Sequence, residues 1–232
     1  MTNKIKIGIT ERGDAGTDFS WIEKAKQLNT QGLILVSKRM SRRLTEEARK
    51  TNSIIHATIT GHGGSLIEPN VLTPEESYLL FSHAIKKLGK ERVVLRIDPI
   101  LPTEEGIKAA LGVYEALKHH GTRIRISFLD NYPHVRARFQ AAGLQPLPYR
   151  FHAPLEQRKK TAALFSGAEI CGEPGFECTG CVSALDLHTL GINIENLQRG
   201  NQRRDCTCLT IKTELLQRKG QCLHGCLYCY WR

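Results

Sequence analysis

Cysteine is absent from the first 170 residues of this 232-residue chain, and all eight cysteines lie between Cys171 and Cys229. The N-terminal segment contains no apolar run of about seven residues, so no secretory signal is expected. No stretch approaches the ~18 apolar residues of a membrane-spanning helix. A chain of this size can bury a core without disulfides, unlike small secreted domains. We therefore expect a cytoplasmic, reduced protein whose clustered thiols bind a metal ion or an iron–sulfur cluster.

Aromatic residues are scarce, at 6% of the chain, so the sequence offers no obvious stacking platform for single-stranded nucleic acid. Positive charge is plentiful: 33 Lys and Arg against 23 Asp and Glu give a formal net charge of +10. The excess is concentrated in residues 39–43, 136–160 and 199–219. Such a surface either attracts a phosphate-rich partner such as nucleic acid or is simply solvated. The sequence leaves both interpretations open.

Short apolar runs alternate with amphipathic stretches, a pattern typical of parallel strands joined by crossover helices. Seven strands are predicted, at residues 5–10, 32–37, 53–60, 93–97, 123–128, 168–171 and 208–216. Five helices are predicted, at residues 17–29, 74–87, 102–119, 155–165 and 183–189. We predict one α/β domain spanning residues 1–232, with a Cys-rich portion from residue 171. A complete or partial (β/α) barrel is favoured, and a doubly wound sheet also fits because the pattern does not encode strand order.

Cys222, Cys226 and Cys229 have the spacing CxxxCxxC. Three thiolates on one loop can each bind one iron of a [4Fe-4S] cluster and leave the fourth iron without a protein ligand. Zinc sites tend instead to use two Cys pairs or mixed Cys/His sets. The triplet therefore favours an iron–sulfur cluster. His224 inside the motif is a weaker metal candidate, and thiols without a metal are the remaining alternative.

The triplet, with Tyr228 just before the third cysteine, resembles the cluster motif of the radical S-adenosylmethionine (SAM) superfamily. The string GQCLHGCLYCYW is similar to the version in spore photoproduct lyase and its relatives. The segments TITGHGGSLIEP, LRIDPI, ISFLD, ICGE and QRRDCTC resemble an uncharacterised group of radical SAM-like proteins that carry the motif at the C-terminus. This resemblance implies a barrel that is circularly permuted relative to other members, with the cluster-bearing strand placed last.

The resemblance also implies a function. A radical SAM enzyme uses a [4Fe-4S] cluster to cleave SAM, and the resulting 5′-deoxyadenosyl radical abstracts hydrogen from a substrate. The electron would come from a donor such as a flavodoxin or ferredoxin, and nucleic acid or a nucleotide is the favoured substrate. Two other classes stay open: a non-catalytic iron–sulfur protein for electron transfer or redox sensing, and a zinc-stabilised nucleic-acid-binding module.

Five further cysteines precede the triplet. Their spacing pairs Cys178 and Cys181 (CxxC) with Cys206 and Cys208 (CxC), an arrangement that suits a four-cysteine zinc site. The family resemblance instead matches Cys171, Cys181, Cys206 and Cys208 and leaves Cys178 over. Either set could hold a second [4Fe-4S] cluster or a zinc ion, and a group without metal is the third alternative.

A glycine-rich segment containing Gly61, Gly63, Gly64 and Ser65 follows the third predicted strand. Its glycines would allow backbone amides to approach a carboxylate or ribose, as a SAM-binding loop requires. The alternative interpretation is a plain tight turn. Glu68, further along the segment, either contacts a ligand or bonds to a neighbouring amide.

Residue alternation places Arg96 and Asp98 on one face of the fourth predicted strand. They form either a structural ion pair or a site in which Arg96 binds the carboxylate of SAM or an anionic substrate and Asp98 orients it. Asp130 and Glu173 follow later strands and are candidates for a ribose or substrate contact. We therefore predict Arg96, Asp98 and Asp130 as catalytic residues, and Arg96, Glu173 and Tyr228 as cofactor contacts in addition to the glycine-rich segment.

Overall fold

A parallel sheet forms the centre of the molecule. A computed structural model describes residues 5–195, 198–200, 206–217 and 222–231. The strands run in the order β6-β5-β4-β3-β2-β1-β7 with every pairing parallel, and the sheet curls into a half-barrel. They are β1 (Ile7–Ile9), β2 (Gly32–Ser37), β3 (Ser53–Thr58), β4 (Val93–Ile100), β5 (Ile124–Phe128), β6 (Glu169–Ile170) and β7 (Lys212–Glu214).

Helices connect most of the strands. The described residues contain α1 (Trp21–Leu28), α2 (Arg42–Arg49), α3 (Pro74–Leu88), α4 (Glu104–Leu117), α5 (Pro133–Ala141), α6 (Leu155–Ala162) and α7 (Ala184–Thr189), with 3-10 turns at Lys90–Arg92 and Lys118–His120. The sequence patterns predict five of these helices and miss α2 and α5. The basic residues at the start of α2 obscure its buried positions, Leu44 and Ala48. In α5, only Val135 and Phe139 are buried, too few to give a clear helical period.

Local capping explains where α3 and α4 begin. The Thr73 hydroxyl accepts a hydrogen bond from Glu76 N at 3.3 Å, and the Glu76 carboxylate accepts one from Thr73 N at 3.0 Å. Thr103 caps α4 in the simpler way, by accepting from Gly106 N at 3.1 Å. The predicted start at residue 74 is confirmed, and the helix predicted from residue 102 begins two residues later, at Glu104.

The two faces of the sheet are covered differently. On the outer face, apolar side chains of the strands pack against α1 to α4, as Leu35 and Leu95 do against Trp21 and Phe81. On the inner face, Ile9, Ile34 and Val94 belong to a second apolar cluster, to which the chain after β6 contributes Val182, Leu187, Leu190 and Leu209. The Cys-rich portion therefore packs into the inner face of the half-barrel.

The predicted α/β architecture is confirmed, as a partial rather than a complete barrel. Strand order follows the chain from β1 to β6 without the central reversal of a doubly wound sheet. β7 pairs with β1, Ile7 opposite Lys212 and Ile9 opposite Glu214, so the chain leaving β7 lies beside the first strand. Residues 201–205 and 218–221, which include part of the QRRDCTC segment, lie outside the described residues. No helix in the described residues is long and apolar enough to cross a membrane.

Candidate functional site

The CxxxCxxC motif lies on residues 222–230, here called the triplet loop, which docks against the loop that follows β3. Asn70 N donates to the His224 carbonyl at 3.2 Å, and the Asn70 side chain donates to the Leu223 carbonyl at 2.8 Å. Leu227 N donates to the Ile67 carbonyl at 3.0 Å. An added Cβ at Gly225 would approach Pro69 within 3.2 Å. The triplet loop therefore lies at the carboxyl end of the sheet, where α/β proteins place ligand sites.

The glycine-rich segment belongs to the same post-β3 loop and forms a compact turn. Gly64 N donates to the Glu68 carbonyl at 3.0 Å and Ser65 N to the His62 carbonyl at 3.1 Å, so these two amides already have acceptors. Gly61 has a φ of 87°, and a Cβ at Gly63 would lie 1.8 Å from the Leu72 carbonyl oxygen. The tight-turn interpretation describes this geometry, and the role of Gly61, Gly63, Gly64 and Ser65 in binding SAM stays a prediction.

A buried histidine–carboxylate contact joins the triplet loop to the loop that follows β1. His224 Nε2 lies 2.6 Å from the Asp14 carboxylate, and both side chains are buried. The same carboxylate accepts from Ser37 Oγ at 2.6 Å and from Lys38 N at 2.7 Å. Burial opposes ionisation, but hydrogen bonding from His224, Ser37 and Lys38 outweighs it and lowers the pKa of Asp14. Asp14 is therefore an anionic junction between the loops after β1 and β2 and the triplet loop.

A partly buried lysine, Lys38, interacts electrostatically with Cys226, the central cysteine of the motif. Lys38 Nζ donates to Glu68 Oε1 at 2.8 Å, and Thr60 donates to Glu68 Oε2 at 2.8 Å. The ammonium also lies 5.2 Å from the centroid of the Tyr228 ring. Burial favours the neutral amine, but Glu68 and the thiol of Cys226 outweigh it and raise the pKa of Lys38. The Glu68 carboxylate thus bonds to Lys38 and Thr60.

The three thiols of the triplet are close enough to influence one another. Burial raises the pKa of Cys226 to about 12, Lys38 opposes the shift, and the charges of Glu68, Cys222 and Cys229 add to it. In the part of the chain that the structure describes, however, no three His, Cys, Asp or Glu side chains converge on one point. The three cysteines therefore share one loop near Lys38 without forming a preassembled set of ligands.

Helix α5, which sequence analysis missed, also holds the triplet loop. Arg138 Nε donates to the Leu227 carbonyl at 2.8 Å, and its terminal nitrogen donates to the Cys229 carbonyl. The sequence shows Arg138 only as one member of a basic region. Nothing in that composition could identify it as a partner of residues some ninety positions further along the chain.

Arg96 and Asp98 form the ion pair that alternation along β4 predicts. Asp98 also accepts a hydrogen bond from Ser127 on β5. Burial opposes the charge on Arg96, but Asp98 and the thiols of Cys181 and Cys171 outweigh it and raise the pKa of Arg96. Asp98, for its part, is one of the charges acting on Lys38 beside the triplet. The pair therefore lies between the two cysteine groups on the inner face of the sheet.

The other two predicted strand-end acids have protein partners. The Asp130 carboxylate lies 2.7 Å from His152 Nδ1, and Asp130 N donates to the hydroxyl of Tyr230 at 3.0 Å, which places Asp130 beside the triplet loop. Glu173 accepts from Phe128 N at 2.7 Å and from Arg158 at 2.8 Å. Burial raises the pKa of Glu173 to about 7, the bond from Phe128 opposes the shift, and Asp130 adds to it. Ribose or substrate contacts of Asp130 and Glu173 stay predictions.

Four of the five remaining thiols contact one another in series. The sulfur atoms of Cys171 and Cys181 are 3.7 Å apart, and Cys181 N donates to Cys208 Sγ at 3.2 Å. The thiol of Cys208 interacts with those of Cys181 and Cys206. Cys178 Sγ accepts a hydrogen bond from Glu173 N at 3.2 Å and lies 3.3 Å from the Glu173 carbonyl oxygen. The contacts follow the set that the resemblance indicates rather than the CxxC–CxC pairing.

Charge around this second group favours a thiolate at Cys181. Hydrogen bonds from Cys171 and Cys208 lower the pKa of Cys181; burial opposes the shift, and the cations Arg96 and Lys212 reinforce it. Lys212 Nζ lies 3.8 Å from Cys208 Sγ. Lys212 also pairs with Glu11, whose Oε1 lies 3.8 Å from Cys181 Sγ, so charges of both signs surround these thiols.

These features define an α/β half-barrel protein with two groups of cysteines, one on a loop at the carboxyl end of the sheet and one on its inner face. A family model described as a domain of unknown function (DUF1848) matches residues 20–231, nearly the whole chain, so the protein belongs to this family. None of the curated proteins matches the chain.

Proposed function

We propose that this protein is a radical SAM-type enzyme whose [4Fe-4S] cluster binds to Cys222, Cys226 and Cys229. The observation that carries the proposal is the docking of the CxxxCxxC loop against the loop after β3, at the carboxyl end of a curled parallel sheet. Loops that follow β1, β2 and β3 support the triplet loop, as expected of a built site at this end of a barrel.

The residues around the triplet fit such a cluster. Three thiolate ligands leave one iron open for SAM, and the Lys38 cation offsets the negative charge of the thiolates. The Tyr228 hydroxyl is buried and, among the described residues, has no hydrogen-bond partner, which a bound group would supply. When bound, the cluster supplies the electron that cleaves SAM, and SAM supplies the group that abstracts hydrogen.

The chain's own residues would hold and orient these groups. His224 and Arg138 fix the triplet loop, while the Arg96–Asp98 pair and Asp130 present charge toward the space beside it. In this proposal β7 corresponds to the cluster-bearing first strand of other radical SAM barrels, since β7 pairs with β1 at the sheet edge. We also propose a nucleic acid or nucleotide as the substrate, on the basis of the net charge of +10. The electron donor in this proposal is a flavodoxin- or ferredoxin-like protein.

Anaerobic reconstitution with iron and sulfide tests the proposal. The reduced protein is expected to give an EPR signal that SAM perturbs, and to yield 5′-deoxyadenosine with dithionite. Cys226→Ala should abolish both results, whereas Cys178→Ala, outside either thiol group, should retain them. The proposal of an enzyme is overturned if reconstituted wild-type protein shows no SAM-perturbed EPR signal and yields no 5′-deoxyadenosine. In that case, a reducible cluster indicates a non-catalytic iron–sulfur protein, and zinc without iron indicates a zinc-stabilised module.

A further inference from the structure

The second group of cysteines joins segments attached to opposite edges of the sheet. Cys171 directly follows β6 and Cys181 lies ten residues further on, whereas Cys206 and Cys208 precede β7. β6 and β7 are the two edge strands of the half-barrel. Contacts among these thiols therefore connect the two edges through the chain that covers the inner face. The adjoining backbone follows the same path, since Leu209 N donates to the Val182 carbonyl at 3.0 Å.

The spacing of the sulfur atoms suits metal–thiolate chemistry. Two thiolates on one tetrahedral zinc ion, each at about 2.3 Å from the metal, lie about 3.8 Å apart. The Cys171 and Cys181 sulfur atoms are 3.7 Å apart. Among the described residues, no three His, Cys, Asp or Glu side chains converge on one point. The thiols are instead arranged in series, from Cys171 through Cys181 and Cys208 to Cys206.

Buried cations provide an independent indication of an anionic group at this place. Arg96 Nε and Arg125 Nη1 are buried and, in the described part of the chain, lack a hydrogen-bond acceptor. Both guanidiniums lie within electrostatic reach of Cys171 and Cys181, and Lys212 contacts Cys208. Buried donors without acceptors are costly. Metal-bound thiolates would supply both acceptors and negative charge.

We propose that Cys171, Cys181, Cys206 and Cys208 hold a metal–thiolate centre that fastens the two edges of the half-barrel. The metal is a thiophilic one, either a zinc ion or an iron–sulfur cluster, and each bound thiol releases its proton to solvent. Arg96, Arg125 and Lys212 donate hydrogen bonds to the sulfur atoms. This centre is separate from the triplet, so it does not depend on SAM chemistry.

Metal content of a chain that lacks the triplet tests the proposal. The full-length protein with Cys222, Cys226 and Cys229 all changed to Ala is loaded anaerobically with zinc alone, or with iron and sulfide. Binding of about one zinc ion or about four iron ions per chain supports the centre and distinguishes the two metals. Adding Cys171→Ser or Cys208→Ser should reduce the bound metal about tenfold, whereas Cys178→Ser should leave it unchanged. The proposal is overturned if the chain binds neither zinc nor iron. It is also overturned if Cys178→Ser reduces the bound metal as much as Cys171→Ser or Cys208→Ser does.

Thiol alkylation provides a readout on the same loaded protein without substituting the proposed ligands. Cys171, Cys178 and Cys206 are all partly exposed, so they form a matched set. Removing the metal with a chelator should increase labelling of Cys171 and Cys206 about tenfold and leave Cys178 unaffected. Equal labelling of Cys171 and Cys206 with and without chelator contradicts the assignment, whatever the stability of the serine variants.

Discussion

His56 on β3 lies fully buried among charged groups of the inner face. Its Nε2 is 3.7 Å from the Asp186 carboxylate, and the guanidiniums of Arg125 and Arg96 also act on it. Burial lowers the pKa of His56 to about 4, with Arg125 adding to the shift and Asp186 opposing it. The imidazole is therefore neutral in the folded protein at neutral pH.

This histidine makes folding stability depend on pH. Its pKa rises from about 4 in the folded protein to about 6.5 in the unfolded chain, so between these values the unfolded state binds more protons. The free energy of unfolding should therefore fall as pH drops from 6.5 to 4, by up to about 3 kcal/mol from this residue. Urea unfolding across this range should show the fall in wild-type protein relative to His56→Gln. The exposed His188, changed to Gln, is the control, and parallel wild-type and His56→Gln curves would contradict the assignment.

At the scale of single residues, sequence predicts what lies close in the chain. Alternation along β4 predicts the Arg96–Asp98 pair, because two residues on one strand share a face by geometry. Asp14 and His224 are 210 positions apart, and only the folded sheet brings them together. The same limit applies to the cysteines, since spacing alone pairs Cys178 with Cys181, whereas the fold brings Cys171 to Cys181 instead.

Among the helices, α5 has the most direct role at the site. Arg138 reaches from it to two carbonyl groups of the triplet loop. Two residues earlier, Arg136 donates to the carbonyl of Arg150 and makes a matched comparison. Arg138 of this helix therefore contacts the triplet loop, whereas Arg136 contacts the segment between α5 and α6.

Removing the first arginine should loosen the triplet loop. Arg138→Gln loses charge-assisted hydrogen bonds to Leu227 and Cys229, and a loss of about 1.4 kcal/mol corresponds to about tenfold faster local opening. Amide hydrogen exchange should therefore accelerate about tenfold across residues 226–230. Arg136→Gln should leave exchange in that segment unchanged. Equal acceleration by both variants would show that Arg138 acts only through the stability of α5.

Helix boundaries are predictable where the signal is local. Thr73, Pro74 and Glu76 define the start of α3 within four residues, so the sequence predicts it and the structure confirms it. Helix α2 also carries a local start signal, since Ser41 accepts a hydrogen bond from Leu44 N at 3.0 Å, but its apolar period is weak. The buried positions of α5, such as Phe139, pack with residues of the triplet loop and are recognisable only after that loop is in place.

On the scale of the whole molecule, the Cys-rich portion completes the core. Leu187 of α7 is 2% exposed and packs with Val182 and Leu209 against the inner face of the sheet. Two residues earlier on the same helix, Leu185 is 48% exposed. The helix therefore presents one leucine to the core and one to solvent.

Truncating the buried leucine should cost far more than truncating the exposed one. Leu187→Ala should lower the free energy of unfolding by about 2–5 kcal/mol because it leaves a cavity in a packed core. Leu185→Ala should change it by less than about 0.5 kcal/mol. Urea denaturation of both variants measures the difference. Similar costs for the two substitutions would mean that α7 is not docked against the sheet.

The number of strands and their parallel character follow from apolar runs separated by helices, so sequence predicts the α/β class. The position of β7 beside β1 does not follow from any pattern, because backbone pairing is insensitive to the order in which strands occur in the chain. Curling of the sheet is likewise a collective property of twisted strands and their packing.

The pairing of β7 with β1 has a consequence for synthesis on the ribosome. β1 emerges early, yet the edge that receives Lys212–Glu214 stays unpaired until β7 has been translated. Until then the nascent sheet presents an open edge and an uncovered apolar inner face, both of which invite wrong pairing. A holding chaperone, or folding that waits for release, would protect this intermediate. The triplet loop follows these strands in the chain, so the loops that receive it have already been translated when it emerges.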